Sequence, residues 1–256
     1  MPFEGRPIRF TSALAWAIVP LGVIVACSSD RNEFDRPPEL APAEAGTPDA
    51  PLCGFRCSPD LKKVLRVCDG EETVEATCGP DQGCAVDKCV DACTAAELSR
   101  GSIGCPFWTV PPDDNQYSIG SCYAAMITNT WDRPVTLGAS YGGDPLDISR
   151  SVYTAKLTGD QPEYTLLEGA LPPGEVGIVF LSQADTMFGA DPIACPKDVV
   201  PALNVDPIRH GTTMNKAFNI TADAPVSAYS IFPYGGADSF VPSATLLLPV
   251  SSWDKS

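Results

Sequence analysis

Seven cysteines crowd into residues 53–93, and this density limits the fold of the 256-residue chain more than any other feature. They are Cys53, Cys57, Cys68, Cys78, Cys84, Cys89 and Cys93. A segment this short buries too little apolar surface to be stable alone, so it needs crosslinks. In an oxidising compartment disulfides are the default for such a pattern. The cysteines therefore predict a small disulfide-rich module over residues 53–104.

The parity of the cysteines predicts two further bridges. Seven is odd, so at least one cysteine of the module must pair outside it, and Cys105 is the nearest candidate. Cys122 and Cys195 would then pair with each other in the following domain. That bridge would close a loop of more than seventy residues, which is worth about 4 kcal/mol in the chain-entropy model. This count leaves out the eleventh cysteine, Cys27, which ends an apolar run near the N-terminus.

A structural zinc site is the alternative use of the crowded cysteines. Such sites show two close cysteine pairs, or a cysteine pair with histidines. The close pairs here are both C-x3-C, Cys53 with Cys57 and Cys89 with Cys93, and no histidine lies nearby in the sequence. Disulfides are therefore favoured over zinc, and no metal or other cofactor is expected.

Two local patterns give the module its secondary structure. Residues 64–78 alternate around Asp69-Gly70, a favoured two-residue turn, and predict a β-hairpin. Thr94 followed three residues later by Glu97 is a capping-box pattern, and it predicts a short helix over 94–101. That helix would link the module to the main domain.

The N-terminus has the parts of a bacterial export signal. Arg6 and Arg9 give a positive start, and residues 13–26 form an uncharged run that is short for a membrane span. The run ends Ile24-Val25-Ala26-Cys27, which resembles the lipobox of bacterial lipoproteins. We expect a signal peptide over 1–26 and lipidation of Cys27. An uncleaved helix and a plain secretory signal are the alternatives.

The residues after the lipid site predict a membrane-attached tether. Residues 27–52 contain repeated prolines and acidic residues and few apolar ones, so they cannot form a core and are expected to be disordered. Acyl chains on Cys27 would hold the protein on the membrane. Ser28, where some lipoproteins carry aspartate, favours the outer membrane by analogy. The expected location is the bacterial cell envelope, at the outer membrane or cell surface.

The composition predicts a β-rich main domain over 105–256. The chain has 26 prolines and 21 glycines but only 19% charged residues, which suits short strands and turns better than long helices. Its net charge of −15 argues against binding to nucleic acid, which needs a basic surface. We expect an antiparallel β-sandwich. The candidate strands are 107–110, 121–128, 134–141, 151–157, 163–168, 175–182, 216–221, 225–232 and 243–249.

A sequence pattern that occurs twice in the main domain indicates candidate binding loops. Residues 127–144 and 220–238 both run Ile-Thr, polar turn, Pro-Val, strand, Tyr-Gly-Gly and then Asp. One reading is a hairpin design used twice, in which Pro opens a strand and Gly-Gly ends it. The other is a pair of loops on one rim that form a shared groove. The candidate binding residues on that reading are Trp131, Tyr141, Asp144, Tyr234 and Asp238.

Among the aromatic residues, Trp131 is the one expected to be exposed. It lies among the polar turn residues 129–133. Trp108 and Phe232 are further candidates by type, but core packing is the usual fate of such side chains.

The main domain resembles a known family. Residues 217–229, AFNITADAPVSAY, are similar to the IgGFc-binding protein N-terminal domain, and the earlier CYAAMITNTWDRPVTL fits that family's first hairpin. The overall layout resembles cysteine-rich lipoproteins of myxobacteria. The resemblance covers roughly 105–256 and implies a β-domain of a surface protein. The cysteine module lies outside it, and 183–215 looks like an insertion. Family members run past this C-terminus, so the resemblance implies a C-terminally incomplete domain.

The residues that could carry chemistry are few. Residues 138–142 match G-x-S-x-G around Ser140, and His210 follows downstream, but a nucleophile elbow needs a helix after the strand and Asp144-Pro145 begins a turn instead. Asp113-Asp114-Asn115 could bind calcium through oxygens, but its spacing matches no known loop. His210 itself is expected to be a polar loop residue.

These observations predict a protein that is not an enzyme. The expected function is adhesion or recognition of glycans or proteins through loops of the β-domain, with the lipid anchor as the contact to the membrane. The alternatives are a purely structural envelope component and an anchored serine hydrolase that uses Ser140.

Overall fold

The computed structural model describes residues 53–113, 118–159, 161–184, 192–236 and 242–253. The expected signal peptide, Cys27 and the tether lie outside the described residues, and so does Asp238. Within the described part of the chain, no helix is long and apolar enough to cross a membrane.

The module consists of five short strands and one helix. The strands are β1 (Cys53–Cys57), β2 (Lys63–Cys68), β3 (Glu71–Thr77), β4 (Gln82–Ala85) and β5 (Lys88–Asp91). β1, β2 and β3 form an antiparallel sheet in that order, and β4 pairs with β5. The predicted hairpin is confirmed: Asp69 and Gly70 join β2 to β3, and both have positive φ, 53° and 86°. Glycine tolerates that conformation, which a two-residue turn requires.

The helix α1 (Ala92–Ser99) begins two residues before the predicted start. Asp91 is the N-cap, and its carboxylate accepts a hydrogen bond from the backbone N–H of Thr94 at 3.0 Å. The Thr94–Glu97 capping box is therefore wrong, because Asp91 already satisfies that end of the helix. The helix ends at Ser99, and Arg100 takes the left-handed conformation.

All ten cysteines of the described chain form disulfides. Three bridges lie within the module, Cys53–Cys68, Cys57–Cys84 and Cys78–Cys89. Cys93 pairs with Cys105 and so ties α1 to the first strand of the main domain. Cys122 pairs with Cys195. The partners expected from parity, Cys105 for the module and Cys195 for Cys122, are confirmed.

The main domain is built from nine strands in one large antiparallel sheet, which confirms the all-β fold. The path through the sheet is β11-β10-β12-β7-β13-β8-β9, and β6 and β14 also pair with β13. The strands are β6 (Gly104–Thr109), β7 (Tyr123–Thr128), β8 (Leu137–Tyr141), β9 (Asp144–Leu146), β10 (Val152–Thr158), β11 (Gln161–Leu166), β12 (Val176–Ser182), β13 (Phe218–Phe232) and β14 (Ser243–Leu247). A short 3-10 helix follows at Val250–Ser252.

β13 corrects the prediction of two strands with a turn at 222–224. It runs unbroken for 15 residues, and its ladder with β6 shifts register between Thr221 and Val226. Pro225 has no N–H to donate, and it lies within that irregular stretch. The chain stays extended there because Ala224 and Val226 are both fully buried.

β13 also determines the shape of the sheet. Its first half pairs with β6 and β8, and its second half pairs with β7 and β14. The sheet curls around this shared strand. A sandwich of two separate sheets is therefore not confirmed.

Two apolar clusters lie on the faces of the curled sheet. The larger cluster includes Phe107, Tyr123, Phe218 and Phe232, and it also takes in Leu61 and Ala96 from the module. The smaller cluster contains Cys122, Ala124, Tyr153, Ile178 and Phe180, and is covered in part by Cys195 and Val199. The module and the sheet thus share one core, and the predicted boundary at 104/105 falls inside β6.

Candidate binding groove

Trp131 is buried, and its predicted role as an exposed binding aromatic is wrong. Only 2% of its surface is exposed. Its indole N–H donates a hydrogen bond to the carbonyl of Pro80, and the Lys62 ammonium lies 4.7 Å from the ring centroid. Both partners belong to the module, so the tryptophan fills the junction between module and sheet.

The polar turn around Trp131 explains this placement. The Asn129 side chain accepts a hydrogen bond from the backbone N–H of Trp131 and donates to the carbonyls of Arg133 and Leu171, each at 2.9 Å. Arg133 lies 2.8 Å from the Asp81 carboxylate, and Lys62 lies 2.9 Å from that of Asp132. Asn129 therefore fixes the turn itself, and Asp132 and Arg133 pair with charged residues of the module.

The two Tyr-Gly-Gly segments do not form a shared groove. Tyr141 packs against Phe218 of the larger cluster, with ring centroids 4.8 Å apart. Tyr234 packs against Phe180 of the smaller cluster at 5.0 Å, and burial beside Tyr164 raises its pKa. The first segment is a real hairpin, β8–β9, turning at Gly142. The second segment instead follows the end of β13 at Phe232, in the longer connection to β14, whose Ser243 pairs with Phe232.

Two of the predicted binding residues do come together around Lys216. The Lys216 ammonium lies 3.7 Å from the Asp144 carboxylate and 5.6 Å from the centroid of the Tyr141 ring. Gly142 has a φ of 61°, a left-handed conformation that favours glycine, and a Cβ there would also come within 2.4 Å of the Lys216 side chain. Lys216 in turn lines one end of the groove described next.

That groove lies between β6 and β14, each of which pairs only with β13 among the described residues. It has a volume of about 730 Å³ and is open to solvent. One wall is residues 108–113, which are the end of β6 and the segment after it. The other wall is formed by Ser230, Ser243, Thr245 and Leu247, and the end by Ile208 and residues 215–217. We call it the β6/β14 groove.

Trp108 is the aromatic residue that the groove presents to solvent. It is 40% exposed, whereas its neighbour Phe107 is fully buried. Since side chains of a strand alternate between its faces, burial of Phe107 turns Trp108 outward. The sequence interpretation had the two tryptophans reversed: Trp131 is core and Trp108 is exposed. The alternation Phe107-Trp108 was the signal that could have found it.

A pair of buried hydroxyls lies beneath the groove. The Tyr123 phenol of β7 hydrogen-bonds to the Thr109 hydroxyl of β6, and the Ser230 side chain of β13 is near enough to lower the pKa of the phenol. Burial raises the pKa of Tyr123 to about 12, so the phenol stays protonated and can donate. The Thr109–Tyr123 contact thus ties β6 to β7 beneath the groove.

A histidine clasp closes one end of the groove. The His210 ring lies between two carboxylates, with Nδ1 2.6 Å from Asp113 Oδ1 and Nε2 2.9 Å from Asp206 Oδ2. The backbone N–H of Gly211 donates to the other oxygen of Asp113 at 2.7 Å. Asp113 belongs to the groove wall. The clasp therefore fixes the segment after β6 to the loop that contains residues 206–211.

The carboxylates raise the pKa of His210. The largest cause is the hydrogen bond with Asp113, and Asp206 adds to it. The same hydrogen bond lowers the pKa of Asp113 below its usual 3.8. The cationic imidazolium donates from both nitrogens, so it satisfies both carboxylates at once.

The clasp predicts a stability contribution that depends on pH. Because the folded-state pKa of His210 is above its usual value of 6.5, the contribution is complete below pH 6.5 and is lost as the pH rises through the raised pKa. At the acidic end it is lost only as the pH falls through the lowered pKa of Asp113. We expect the unfolding free energy of the native protein, relative to that of His210→Gln, to decrease as the pH rises above 6.5. Denaturant titrations at a series of pH values measure this difference, and a constant difference would contradict the clasp.

The structure does not form a nucleophile elbow at Ser140. Ser140 lies inside β8, opposite Asn219 on one side and Pro145 on the other, and the chain turns into β9 instead of a helix. Both nitrogens of His210 face carboxylates rather than a serine hydroxyl. Of the suggested calcium ligands, Asp113 faces His210, and residues 114 and 115 lie outside the described residues.

Comparison with known proteins gave no matching family model, no matching curated protein and no matching solved structure.

Proposed function

We propose that this protein is a non-catalytic recognition module of the bacterial cell envelope, and that the β6/β14 groove is its binding site. The observation that carries the proposal is Trp108, a large half-exposed aromatic residue on the wall of an open groove of about 730 Å³. Binding sites for small ligands are concave, commonly about 300–1,000 Å³, and combine apolar surface with a few polar groups.

Rigid support for the groove favours binding. Cys105 of β6 is bonded to Cys93 of α1, Tyr123 of β7 hydrogen-bonds to Thr109 of β6, and the His210 clasp holds the segment after β6. A site whose walls are fixed before binding loses little conformational entropy when the ligand arrives. The groove is therefore better suited to recognition than a surface made of free loops.

The proposed location rests on the sequence and on the disulfides. Five bridges suit an oxidising compartment such as the periplasm or cell surface. The lipobox-like Ile24-Val25-Ala26-Cys27 supplies an anchor, and residues 27–52 supply the tether. The resemblance of 105–256 to the IgGFc-binding protein N-terminal domain agrees with a surface role.

The anchor has its own test. Changing Cys27 to Ser removes the thiol that would take the diacylglycerol, so the protein is expected to move from the detergent phase to the aqueous phase on phase separation. The native protein expressed in the same bacterial host is the reference. Equal partitioning of the two would overturn the anchor while leaving the groove proposal intact.

The recognition proposal is tested by ligand arrays. The native protein is applied to arrays of glycans and of envelope and host proteins, together with Trp108→Ala. Trp253→Ala is the matched control, because Trp253 is 49% exposed but does not line the groove. We expect binding that Trp108→Ala abolishes and Trp253→Ala preserves. A folded protein that binds nothing would favour a purely structural envelope component. Binding that is unchanged in Trp108→Ala would overturn the groove as the binding site.

A further inference from the structure

We infer that the ligand of the β6/β14 groove is an uncharged glycan, stacked on Trp108 and hydrogen-bonded to the hydroxyl side chains of the opposite wall. This inference rests on the proposed function and names its ligand class. It follows from the charges, the hydroxyl groups and the backbone of the groove.

The charges along the groove are balanced. Asp113 and Lys216 are the charged side chains among the described residues that line it. Asp113 is held by His210 at 2.6 Å, and Lys216 lies 3.7 Å from Asp144. The chain as a whole carries −15, so an acidic ligand would meet long-range repulsion, and the described walls offer no unpaired cation to offset it. A cationic ligand would find no unpaired carboxylate along the described walls.

The two walls differ in chemistry in the way that a sugar ring requires. Trp108 offers an apolar face, against which the C–H face of a pyranose can pack. The facing wall carries the hydroxyls of Ser230, Ser243 and Thr245. Thr245 is exposed, and the Ser243 hydroxyl donates to the carbonyl of Phe232 at 3.1 Å, which leaves its lone pairs to accept from a ligand. An apolar platform opposite uncharged hydroxyls matches a ligand with both kinds of surface.

The backbone of the groove argues against an extended peptide. A peptide that adds to a sheet edge needs a row of N–H and C=O groups to pair with. The wall after β6 continues through Pro111 and Pro112, which have no N–H to donate. β14 on the other side is only five residues long. Neither edge provides the long ladder on which strand addition depends.

The experiment titrates the intact protein with a panel of neutral, acidic and basic oligosaccharides and with a library of extended peptides. For each ligand that binds, isothermal titration calorimetry then measures the Kd for the native protein and for four variants. These are Trp108→Ala, Trp108→Phe, Thr245→Val and the control Trp253→Ala. Far-UV circular dichroism and the absence of free thiols show that each variant is folded.

We expect neutral oligosaccharides to bind, with Kd changing less than about two-fold across a salt series because no net charge is neutralised. Trp108→Ala should weaken binding by about ten-fold or more, since it removes both the stacking face and the apolar area that a sugar ring would bury against it. Trp108→Phe and Thr245→Val should have smaller effects, and Trp253→Ala none.

The failures of the two proposals are distinguishable. Binding of peptides or charged saccharides that depends on Trp108 would overturn the uncharged glycan and keep the groove as the recognition site. Absence of any Trp108-dependent binding across all classes would overturn both.

Discussion

Replacing Trp131 with alanine is expected to lower the unfolding free energy by about 3–5 kcal/mol, the usual cost of removing a large aromatic side chain from a core. Trp131 is 2% exposed and contacts the module through Pro80 and Lys62. The variant would leave a cavity at the junction and would also leave the Pro80 carbonyl without its donor. Since small domains are stable by only about 5–15 kcal/mol, this is a large fraction of the total.

Denaturant titration under oxidising conditions measures the effect, with Trp108→Ala as the matched control. Trp108 is 40% exposed, so its loss removes few core contacts, and we expect a change within about 1 kcal/mol. Comparable losses in the two variants would show that Trp131 is not the anchor between the module and the sheet.

Removing the Cys122–Cys195 bridge with alanine at both positions is the second change with a large expected effect. The bridge joins residues 73 apart, and the chain-entropy model gives about 4 kcal/mol for a loop of that length. It also holds Cys195 and Val199 over the cluster of Phe180 and Ile178. Loss of the bridge should therefore both destabilise the fold and loosen the segment that follows Cys195.

Trypsin reports the second effect, because Lys197 is exposed and lies two residues after Cys195. We expect cleavage after Lys197 to be faster in the double alanine variant than in the native protein. The control variant removes Cys53 and Cys68, which are 15 residues apart in the β1–β2 hairpin. It should lose about 3 kcal/mol but cleave at Lys197 at the native rate. Unchanged cleavage in the Cys122/Cys195 variant would contradict a role for the bridge in holding this segment.

The parts of the fold that were predictable from sequence depend on local patterns or on counting. The alternation of apolar and polar residues identified most strands. Asp69-Gly70 identified the hairpin, because few backbone conformations and few residue pairs are compatible with a two-residue turn. The pairing of Cys122 with Cys195 was predictable because the odd number in the module requires a partner outside it. Once the nearest one, Cys105, is taken, only these two remain.

The errors arose where a distant segment overrode the local pattern. Residues 222–224 look like a turn, but the strand stays extended because Ala224 and Val226 are buried in the shared core. Trp131 lies among polar residues in the sequence, yet two of them, Asp132 and Arg133, pair with residues of the module. The turn therefore carries its tryptophan inward rather than toward solvent.

The candidate site could not be predicted because its parts are far apart along the chain. β6 and β14 are both partners of β13, and only the pairing of all three creates a groove between them. Asp113 and His210 are 97 residues apart, and no local sequence pattern around either residue predicts that they contact each other. The one local hint was the alternation of Phe107 and Trp108.

The overlapping disulfides of the module have a mechanical consequence. A pull on the chain at Cys53 can pass through residues 53–57, across the bridge to Cys84, and along residues 84–93 to the Cys93–Cys105 bridge at β6. The rest of the module is looped out of this covalent path, so it cannot be drawn into extended chain while the bridges remain. Tension would therefore reach β6, at the edge of the β6/β14 groove, while the module extended only slightly.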